Sequence, residues 1–305
     1  MATLQGHPAT DARTPRSQAP TSTHHPWRPR HDRPLLLVDG HYLLHRAWHG
    51  FAARITSLDK TIDRTGVFGF AALLRKAQVE HADGFEIFVV FDSEDGSQTR
   101  AERDSGYKAQ RPAPESGLID SLALVKTALD HTGVRWSEQD GCEADDVIAT
   151  LAISARGEGR AVDIMTTDKD YVQLLTDPSV RLLNTGIAME RRYTTGEHIL
   201  PRYGVLAEQW PDFRALMGDP ADNISGIRGI GAKTAARLLT DGRRLESIPA
   251  EELRLAWTAQ WQQVLHWREM IKLDTKTAVP DNLLTNTPTT PLPTAAQVLE
   301  ALDLW

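Results

Sequence analysis

Three carboxylates, Glu143, Asp145 and Asp146, occur within four residues and precede apolar residues at helical spacing. Acidic side chains are favoured in the first turn of a helix, because they offset the positive end of the helix dipole. Carboxylate oxygens are also the ligands that Mg²⁺ and Mn²⁺ prefer. Taken alone, the cluster favours an ordinary helix start, and a metal site needs support from carboxylates elsewhere in the chain.

Three short apolar runs, each typical of a strand buried on both faces, lead into further aspartates. The runs and their aspartates are 35–38 with Asp39, 87–91 with Asp92, and 161–166 with Asp168 and Asp170. Predicted helices at about 67–81 and 118–132 and a short strand at 134–136 separate them, with a polar loop after Gly40. This alternation predicts an α/β fold whose mostly parallel sheet is covered on both faces. Ligands bind beyond the carboxyl ends of such strands, so the aspartates and the cluster at 143–146 are predicted to share one metal site.

A glycine-rich motif follows residue 201, where the character of the sequence changes. Glycines at 226, 229 and 231 permit a tight turn before an amphipathic helix that is predicted to begin near Lys233. Five basic residues and one acid lie from Arg228 to Arg244. This is a helix-hairpin-helix pattern, whose turn presents backbone N–H groups to a phosphate.

The two ends of the chain have different compositions. Residues 1–33 are rich in proline and polar residues, which is typical of a disordered tail, and they lack the apolar segment of a secretory signal. A long helix is predicted at about 251–273, and its aromatic stripe is typical of a packed core. A Thr/Pro-rich linker at 285–294 then leads to a last short helix at 295–303.

The overall composition limits the class of protein. With 41% hydrophobic and 25% charged residues, the 305-residue chain resembles an ordinary globular protein. No apolar run approaches the ~20 residues that a membrane-spanning helix needs, and we expect a cytoplasmic protein. The single cysteine, Cys142, excludes an internal disulfide. The net charge of −7 argues against nonspecific polyanion binding by the whole surface, although bound cations would neutralise a metal-binding carboxylate cluster.

Seven short motifs follow one another along the chain. They are Leu-Leu-Leu-Val-Asp39-Gly, Val-Phe-Asp92, Gly-Tyr107-Lys108-Ala-Gln-Arg111, Glu143-Ala-Asp145-Asp146-Val, Thr-Asp168-Lys-Asp170, Gly-Asp219-Pro-Ala-Asp222-Asn and Gly-Ile-Gly231-Ala-Lys-Thr. Because all seven motifs occur in this order, residues 35–284 resemble the 5′-3′ exonuclease domain of bacterial DNA polymerase I. More widely, the chain resembles the flap endonuclease superfamily, which has a PIN-like fold.

The resemblance implies roles for individual residues. The implied ligands of two divalent ions are Asp39, Asp92, Glu143, Asp145, Asp146, Asp168, Asp170, Asp219 and Asp222. Arg46 and Arg100, with Lys108 and Arg111 on a helical arch, would contact phosphates near the scissile bond and act in catalysis. The hairpin would bind duplex DNA with the help of a monovalent cation, usually potassium. The implied DNA-binding residues are Tyr107, Arg228, Gly229, Gly231, Lys233, Thr234 and Arg237.

The resemblance also implies a division into domains. We expect a disordered tail at 1–33, an α/β nuclease domain with the helical arch at 34–200, a helix-hairpin-helix domain at 201–284, and a linker with a short helix at 285–305. No polymerase domain follows, so we expect a free-standing nuclease. The arch is mixed in charge, and Thr99 stands where the family often has an aromatic residue.

The expected function is 5′-3′ exonuclease and 5′ flap endonuclease activity on DNA, in replication and repair. Two Mg²⁺ ions, replaceable by Mn²⁺, would lie about 4 Å apart and activate the attacking water. As a hypothesis, the ligands up to Asp146 hold one ion and those from Asp168 onwards hold the other. The expected substrates of this monomer are 5′ flaps and nicked or 5′-recessed duplexes, with RNA–DNA hybrid as a side substrate and a separate DNA polymerase as a partner. Two alternatives are a non-catalytic DNA-binding protein of the same fold and a PIN-type ribonuclease.

Overall fold

A six-stranded sheet forms the centre of the computed structural model, which describes residues 33–305. The strands are β1 (Leu35–Asp39), β2 (Glu86–Phe91), β3 (Arg135–Glu138), β4 (Val162–Met165), β5 (Val180–Leu183) and β6 (Tyr193–Thr194). Their order is β3-β2-β1-β4-β5-β6, and every pairing is parallel except that of β5 with β6. The predicted α/β fold with a mostly parallel sheet is confirmed.

Eleven α-helices accompany the strands in the described part of the chain. They are α1 (Gly40–His49), α2 (Thr65–His81), α3 (Gln98–Arg103), α4 (Ser116–Thr132), α5 (Ala144–Gly157), α6 (Ile199–Tyr203), α7 (Trp210–Met217), α8 (Ala232–Leu238), α9 (Leu255–Thr258), α10 (Trp261–Ile271) and α11 (Ala295–Ala301). None of these helices is long and apolar enough to cross a membrane. The predicted disordered tail at 1–33 lies, except for Arg33, outside the described residues.

Side chains alternate between the two faces of β1 and build two cores. Leu36 and Val38 pack with residues of α1, α2, α4 and α11 on one face. Leu35 and Leu37 pack with α5, α7, α8 and α10 on the other face. Burial on both faces explains the continuous apolar run of this central strand. Its carboxyl end therefore opens into a crevice between helices of both layers.

The loop predicted after Gly40 is wrong, because helix α1 begins directly at this glycine. The Asp39 carboxylate caps the helix by accepting a hydrogen bond from the Tyr42 amide at 2.9 Å. Leu43, Leu44, Ala47 and Trp48 bury one face of the helix. Histidines and an arginine on its other face masked this apolar spacing in the sequence.

The single helix predicted at 251–273 is also wrong. Extended backbone at Leu253 and Arg254, with ψ of 125° and 146°, interrupts it, and α9 and α10 follow as separate helices. The break lets Trp257 and Trp267 both pack in the same core. The predicted aromatic core stripe is therefore present, although one continuous helix does not carry it.

The predicted helical arch is only partly helical. Helix α3 covers six of its residues, and turns follow to residue 110. The turn region packs on the segment that precedes the hairpin, because the Lys108 amide donates to the Asp222 carbonyl at 3.2 Å. The Asn223 side-chain amide donates to the Gly106 carbonyl at 2.7 Å. These bonds connect the arch to the predicted helix-hairpin-helix domain at 201–284, which we call the helical module.

Candidate metal centre and nucleic-acid interface

The first part of the site lies where strands β1 and β4 end side by side. Connections leave these two strands in opposite directions, which is the position where α/β sheets bind ligands. The Thr166 hydroxyl after β4 donates to Asp39 Oδ2 at 3.2 Å. Burial, with repulsion from Asp92 and Asp168, raises the pKa of Asp39 to about 7. A cation at this strand end would therefore stabilise the charge of Asp39.

Asp92 connects the end of β2 to helix α5. Its Oδ1 accepts a hydrogen bond from the Ala144 amide at 2.7 Å, which places the start of α5 at the sheet edge. Its Oδ2 lies 3.1 Å from His41 Nδ1. Burial would lower the pKa of His41, but the hydrogen bond and charge of Asp92 raise it overall. His41 was not among the predicted site residues, although its place two residues after Asp39 was a usable signal.

Glu143, Asp145 and Asp146 form the first carboxylate cluster. One oxygen from each lies within 4.8 Å of the others. The Arg100 guanidinium contacts Glu143 and, at 2.8 Å, Asp146, and the Lys108 ammonium also contacts Glu143. Burial would raise the pKa of Glu143, but Lys108 and Arg100 lower it. Burial and the neighbouring carboxylates raise the pKa of Asp145 well above its ordinary value despite Arg100.

Asp170, Asp219 and Asp222 form the second carboxylate cluster, and all three are buried. Asp219 accepts a hydrogen bond from Arg214 Nε at 3.1 Å, and Asp222 lies 3.0 Å from Arg111 Nη2. Asp170 has no cationic partner among the described residues, and its buried Oδ1 has no hydrogen-bond donor. Burial, followed by repulsion from the neighbouring aspartates, raises the pKa of Asp170 well above its ordinary value.

The two clusters fit divalent metal ions. A buried carboxylate oxygen without a donor costs free energy unless a proton or a cation occupies its free side. Asp170 is the strongest case, because its buried Oδ1 has no donor and it lies in a group of three carboxylates. The donors of these clusters are all oxygens, which favours Mg²⁺ or Mn²⁺ over zinc. The remaining predicted ligand, Asp168, is exposed and accepts a hydrogen bond from the Asp170 amide at 2.9 Å.

The predicted phosphate-binding residues divide into two groups. Lys108 and Arg111 line the same cleft as Asp39, Asp92, Asp145 and Asp168. Arg100 instead lies against the first cluster. Arg46 is not brought to either cluster, because its guanidinium donates to the Thr185 carbonyl at 3.0 Å and also contacts the Thr185 hydroxyl.

Tyr107 is buried beneath the arch. Only 6% of its surface is exposed, and its hydroxyl donates to Glu143 Oε2 at 3.1 Å. In this position it supports the first carboxylate cluster. Its predicted contact with DNA stays a prediction.

The glycine-rich hairpin lies between α7 and α8. Ile227 and Ile230 are buried and hold the turn on the core, whereas Gly229 and Gly231 are exposed with open space beside their Cα atoms. The predicted basic side chains also point outward, since Arg228, Lys233 and Arg237 are exposed and Thr234 is half-buried. The turn therefore offers bare backbone amides beside exposed cations, which is the chemistry that binds a phosphate backbone.

The sequence and the fold are similar to those of known proteins. Family models match at residues 34–204, a 5′-3′ exonuclease N-terminal resolvase-like domain, and at 205–291, a 5′-3′ exonuclease C-terminal SAM fold. The chain is 44% identical over 216 residues to a thermostable DNA polymerase I of Thermus thermophilus, covering 70% of this chain and 25% of that protein. It is 35% identical over 216 residues to DNA polymerase I of Mycobacterium tuberculosis, covering 70% of this chain and 24% of that protein. The chain thus spans about a quarter of the length of these relatives.

Solved structures share the fold. The bacteriophage T5 D15 flap endonuclease, in a pseudo-enzyme–product complex with DNA and metal ions, has a TM-score of 0.61 and 22% identity, covering 89% of this chain and 100% of that chain. The catalytic core of Rad2 in complex with a DNA substrate has a TM-score of 0.54 and 14% identity, covering 90% of this chain and 89% of that chain. Because both identities are below 25%, the similarity to these structures shows a shared fold only.

Proposed function

The chain belongs to the 5′-3′ exonuclease family, and we propose that it hydrolyses DNA phosphodiester bonds at 5′ flaps and 5′ ends with two Mg²⁺ ions. The predicted family and nuclease class are confirmed. One observation carries the proposal: two triads of carboxylates approach each other closely enough for Asp145 to repel Asp170, and Asp145 lines the cleft that also contains Lys108 and Arg111. Mn²⁺, which prefers the same oxygen ligands, would substitute for Mg²⁺.

We assign the two ions to the two clusters. Glu143, Asp145 and Asp146, with Asp39 and Asp92 at the neighbouring strand ends, would hold one ion. Asp170, Asp219 and Asp222, with Asp168, would hold the other. When bound, the ions would lower the pKa of the attacking water and neutralise the leaving 3′ oxygen.

The protein's own side chains would orient the substrate. Lys108 and Arg111 line the cleft and pair with Glu143 and Asp222 of the two clusters, so they would bind the non-bridging oxygens of the scissile phosphate. The hairpin amides and the exposed cations from Arg228 to Arg237 would bind the duplex part of the substrate. We propose a potassium ion at this turn, as the family implies. Arg46, held by Thr185, would contact DNA only after releasing that bond.

Other parts of the proposal concern partners and setting. We propose that the protein acts as a monomer in the cytoplasm, that it removes flaps or primers during replication and repair, and that a separate DNA polymerase supplies its substrate. RNA in RNA–DNA hybrids would be a side substrate. The proposed domain boundaries remain 34–200, 201–284 and 285–305.

Cleavage of a labelled 5′-flapped duplex in Mg²⁺, with the products measured to single-nucleotide length, tests the proposal. We expect cleavage near the flap junction by the natural protein and a loss of at least about 100-fold in kcat for Asp168→Ala. The matched control is Asp120→Asn, which changes an exposed aspartate on α4. Flap binding without metal-dependent cleavage would support a non-catalytic DNA-binding protein, and cleavage of single-stranded RNA alone would support a PIN-type ribonuclease. Either result contradicts the proposal.

A further inference from the structure

Two histidines on helix α1 extend the wall of the cleft away from the carboxylates. His45 and His49 lie one and two turns beyond His41 on one face of the helix, and both are exposed. Their rings are stacked, with centroids 6.0 Å apart and an interplanar angle of 25°. Both line the cleft that holds Asp39 and Lys108. Neither imidazole makes a hydrogen bond or an ion pair with the described residues, so the ring nitrogens of both are free to bind a ligand.

The charged groups around His45 are mostly positive. The groups with the largest effect on His45 are His41 and His49 on α1, Arg111 on the arch, and the Glu115 carboxylate before α4. Glu115 already accepts a hydrogen bond from the Trp48 indole at 2.9 Å. Burial, followed by the neighbouring positive groups, lowers the pKa of His45. An anion would stabilise positive charge on this side of the cleft. A nucleic-acid backbone supplies one phosphate about every 3.4 Å along a duplex strand.

We propose that His45 and His49 bind backbone phosphates of the DNA strand in the cleft, beyond the scissile position, and do so more tightly when protonated. With a rise of 1.5 Å per residue, the pair lies about 6 and 12 Å along the helix from His41, which is a distance of a few nucleotides. This inference rests on the proposed function, because it needs a DNA strand in the cleft.

The sign of the pH dependence follows from linkage. A bound phosphate stabilises the imidazolium, so the pKa of His45 is higher in the complex than in the free protein. DNA binding therefore takes up protons and tightens as the pH falls through the pKa of the complex. The effect is complete once the pH lies below the pKa of the free protein.

The test measures binding of a 5′-flapped duplex by fluorescence anisotropy with Ca²⁺ in place of Mg²⁺, at pH 6 and pH 8 and over a range of salt concentrations. We expect His45→Gln/His49→Gln to weaken binding about tenfold at pH 6 and by less than twofold at pH 8, since the imidazolium can donate a charge-assisted hydrogen bond only at low pH. The slope of log Kd against log salt should fall by one to two at pH 6, because each phosphate that the protein no longer neutralises lowers it by about 0.9.

Controls separate this inference from the proposed function. His131→Gln makes the same change on the exposed last turn of α4, near the amino-terminal edge of the sheet, and should behave as the natural protein does. If the double variant keeps the natural pH dependence and salt slope, the inference is wrong although the proposed function stands. Natural-strength, pH-independent binding by His45→Phe would show that stacking on bases suffices, which also overturns it. If the natural protein does not bind the flapped duplex, the proposed function itself fails.

Discussion

Arg100 and Lys108 both contact Glu143, whereas Asp170 has no cationic partner among the described residues. The two carboxylate clusters therefore differ in how their charge is balanced. Arch cations offset the first cluster, and they would have to move for an ion to approach Glu143. In the second cluster Arg214 pairs with Asp219 and Arg111 with Asp222, which leaves Asp170 as the carboxylate without a cation. Metal binding should thus change the position of the arch more than that of the hairpin.

The pKa of Asp39 gives a stability prediction for the metal-free protein. Its pKa is about 7 in the folded state and about 3.9 in the unfolded chain. Between these values the folded state holds more protons, so the free energy of unfolding falls as the pH rises, and the deficit is complete above about pH 7. Asp39→Asn keeps the helix cap and removes the charge. In EDTA we expect this variant to be more stable than the natural protein at pH 8, by up to about 4 kcal/mol, and equal to it at pH 4.

Thermal unfolding at both pH values measures this difference. Asp120→Asn serves as the control, because its carboxylate is exposed on α4. Equal melting temperatures for Asp39→Asn and the natural protein at pH 8 would show that Asp39 is not destabilised in the folded state.

At the scale of elements, the hairpin turn depends on two glycines with different surroundings. Gly226 and Gly229 both have positive φ, of 65° and 88°. A Cβ at Gly226 would lie 2.4 Å from the Gly218 nitrogen, whereas one at Gly229 would meet open space. We expect Gly229→Ala to lower the free energy of unfolding by roughly 1–2 kcal/mol, from the left-handed backbone alone. Gly226→Ala should lower it by a further 1–3 kcal/mol or so, because backbone must shift.

Urea denaturation of the two variants gives the comparison directly. Since both substitutions add the same methyl group, any difference between them reports the close approach at Gly226. Equal decreases in stability would contradict the close packing of Gly226 against Gly218.

The cations of α8 give a second prediction at this scale. Lys233 and Arg237 are exposed beside the bare amides of the turn. We expect Lys233→Gln/Arg237→Gln to weaken duplex binding similarly for all sequences and to reduce the salt slope by about one for each phosphate that is no longer neutralised. Anisotropy with a plain duplex in Ca²⁺ measures this, with Lys76→Gln on α2 as a control for the removal of a surface charge. An unchanged slope would mean that the hairpin does not contact DNA.

Some of the secondary-structure elements could be predicted from the sequence alone. The strands β1, β2 and β4 were predictable, because burial on both faces gives short apolar runs, and so were the aspartates that follow them. Helix α1 was not predicted, since its exposed histidines obscured four buried residues. The short strands β5 and β6 were also missed. Pairings such as that of Arg46 with Thr185 could not be predicted from the sequence, because the two residues are 139 positions apart and only the folded sheet brings them together.

For the whole molecule, the chain beyond the helical module returns to the first domain. The Thr285 amide donates to the buried Glu86 carboxylate at 2.7 Å, and Glu86 also pairs with the buried Arg160 guanidinium at 2.7 Å. Helix α11 packs on α2, with Val298 and Leu299 buried in that core. Residues 285–301 thus pack on the first domain. The helical module is therefore connected to the sheet both through the arch and through residues 285–301. The Gln173 side chain also donates to the Ile271 carbonyl at 3.1 Å, so the site lies between elements that are fixed to one another at several places.

The proposed function requires that the two carboxylate clusters bind two divalent ions. Titration of the protein with Mn²⁺, followed by electron paramagnetic resonance of the free ion, measures the number of ions bound per chain. We expect two ions for the natural protein, about one each for Asp145→Asn and Asp170→Asn, and two for the control Asp120→Asn. A single ion in the natural protein, or two ions in both cluster variants, would contradict this requirement.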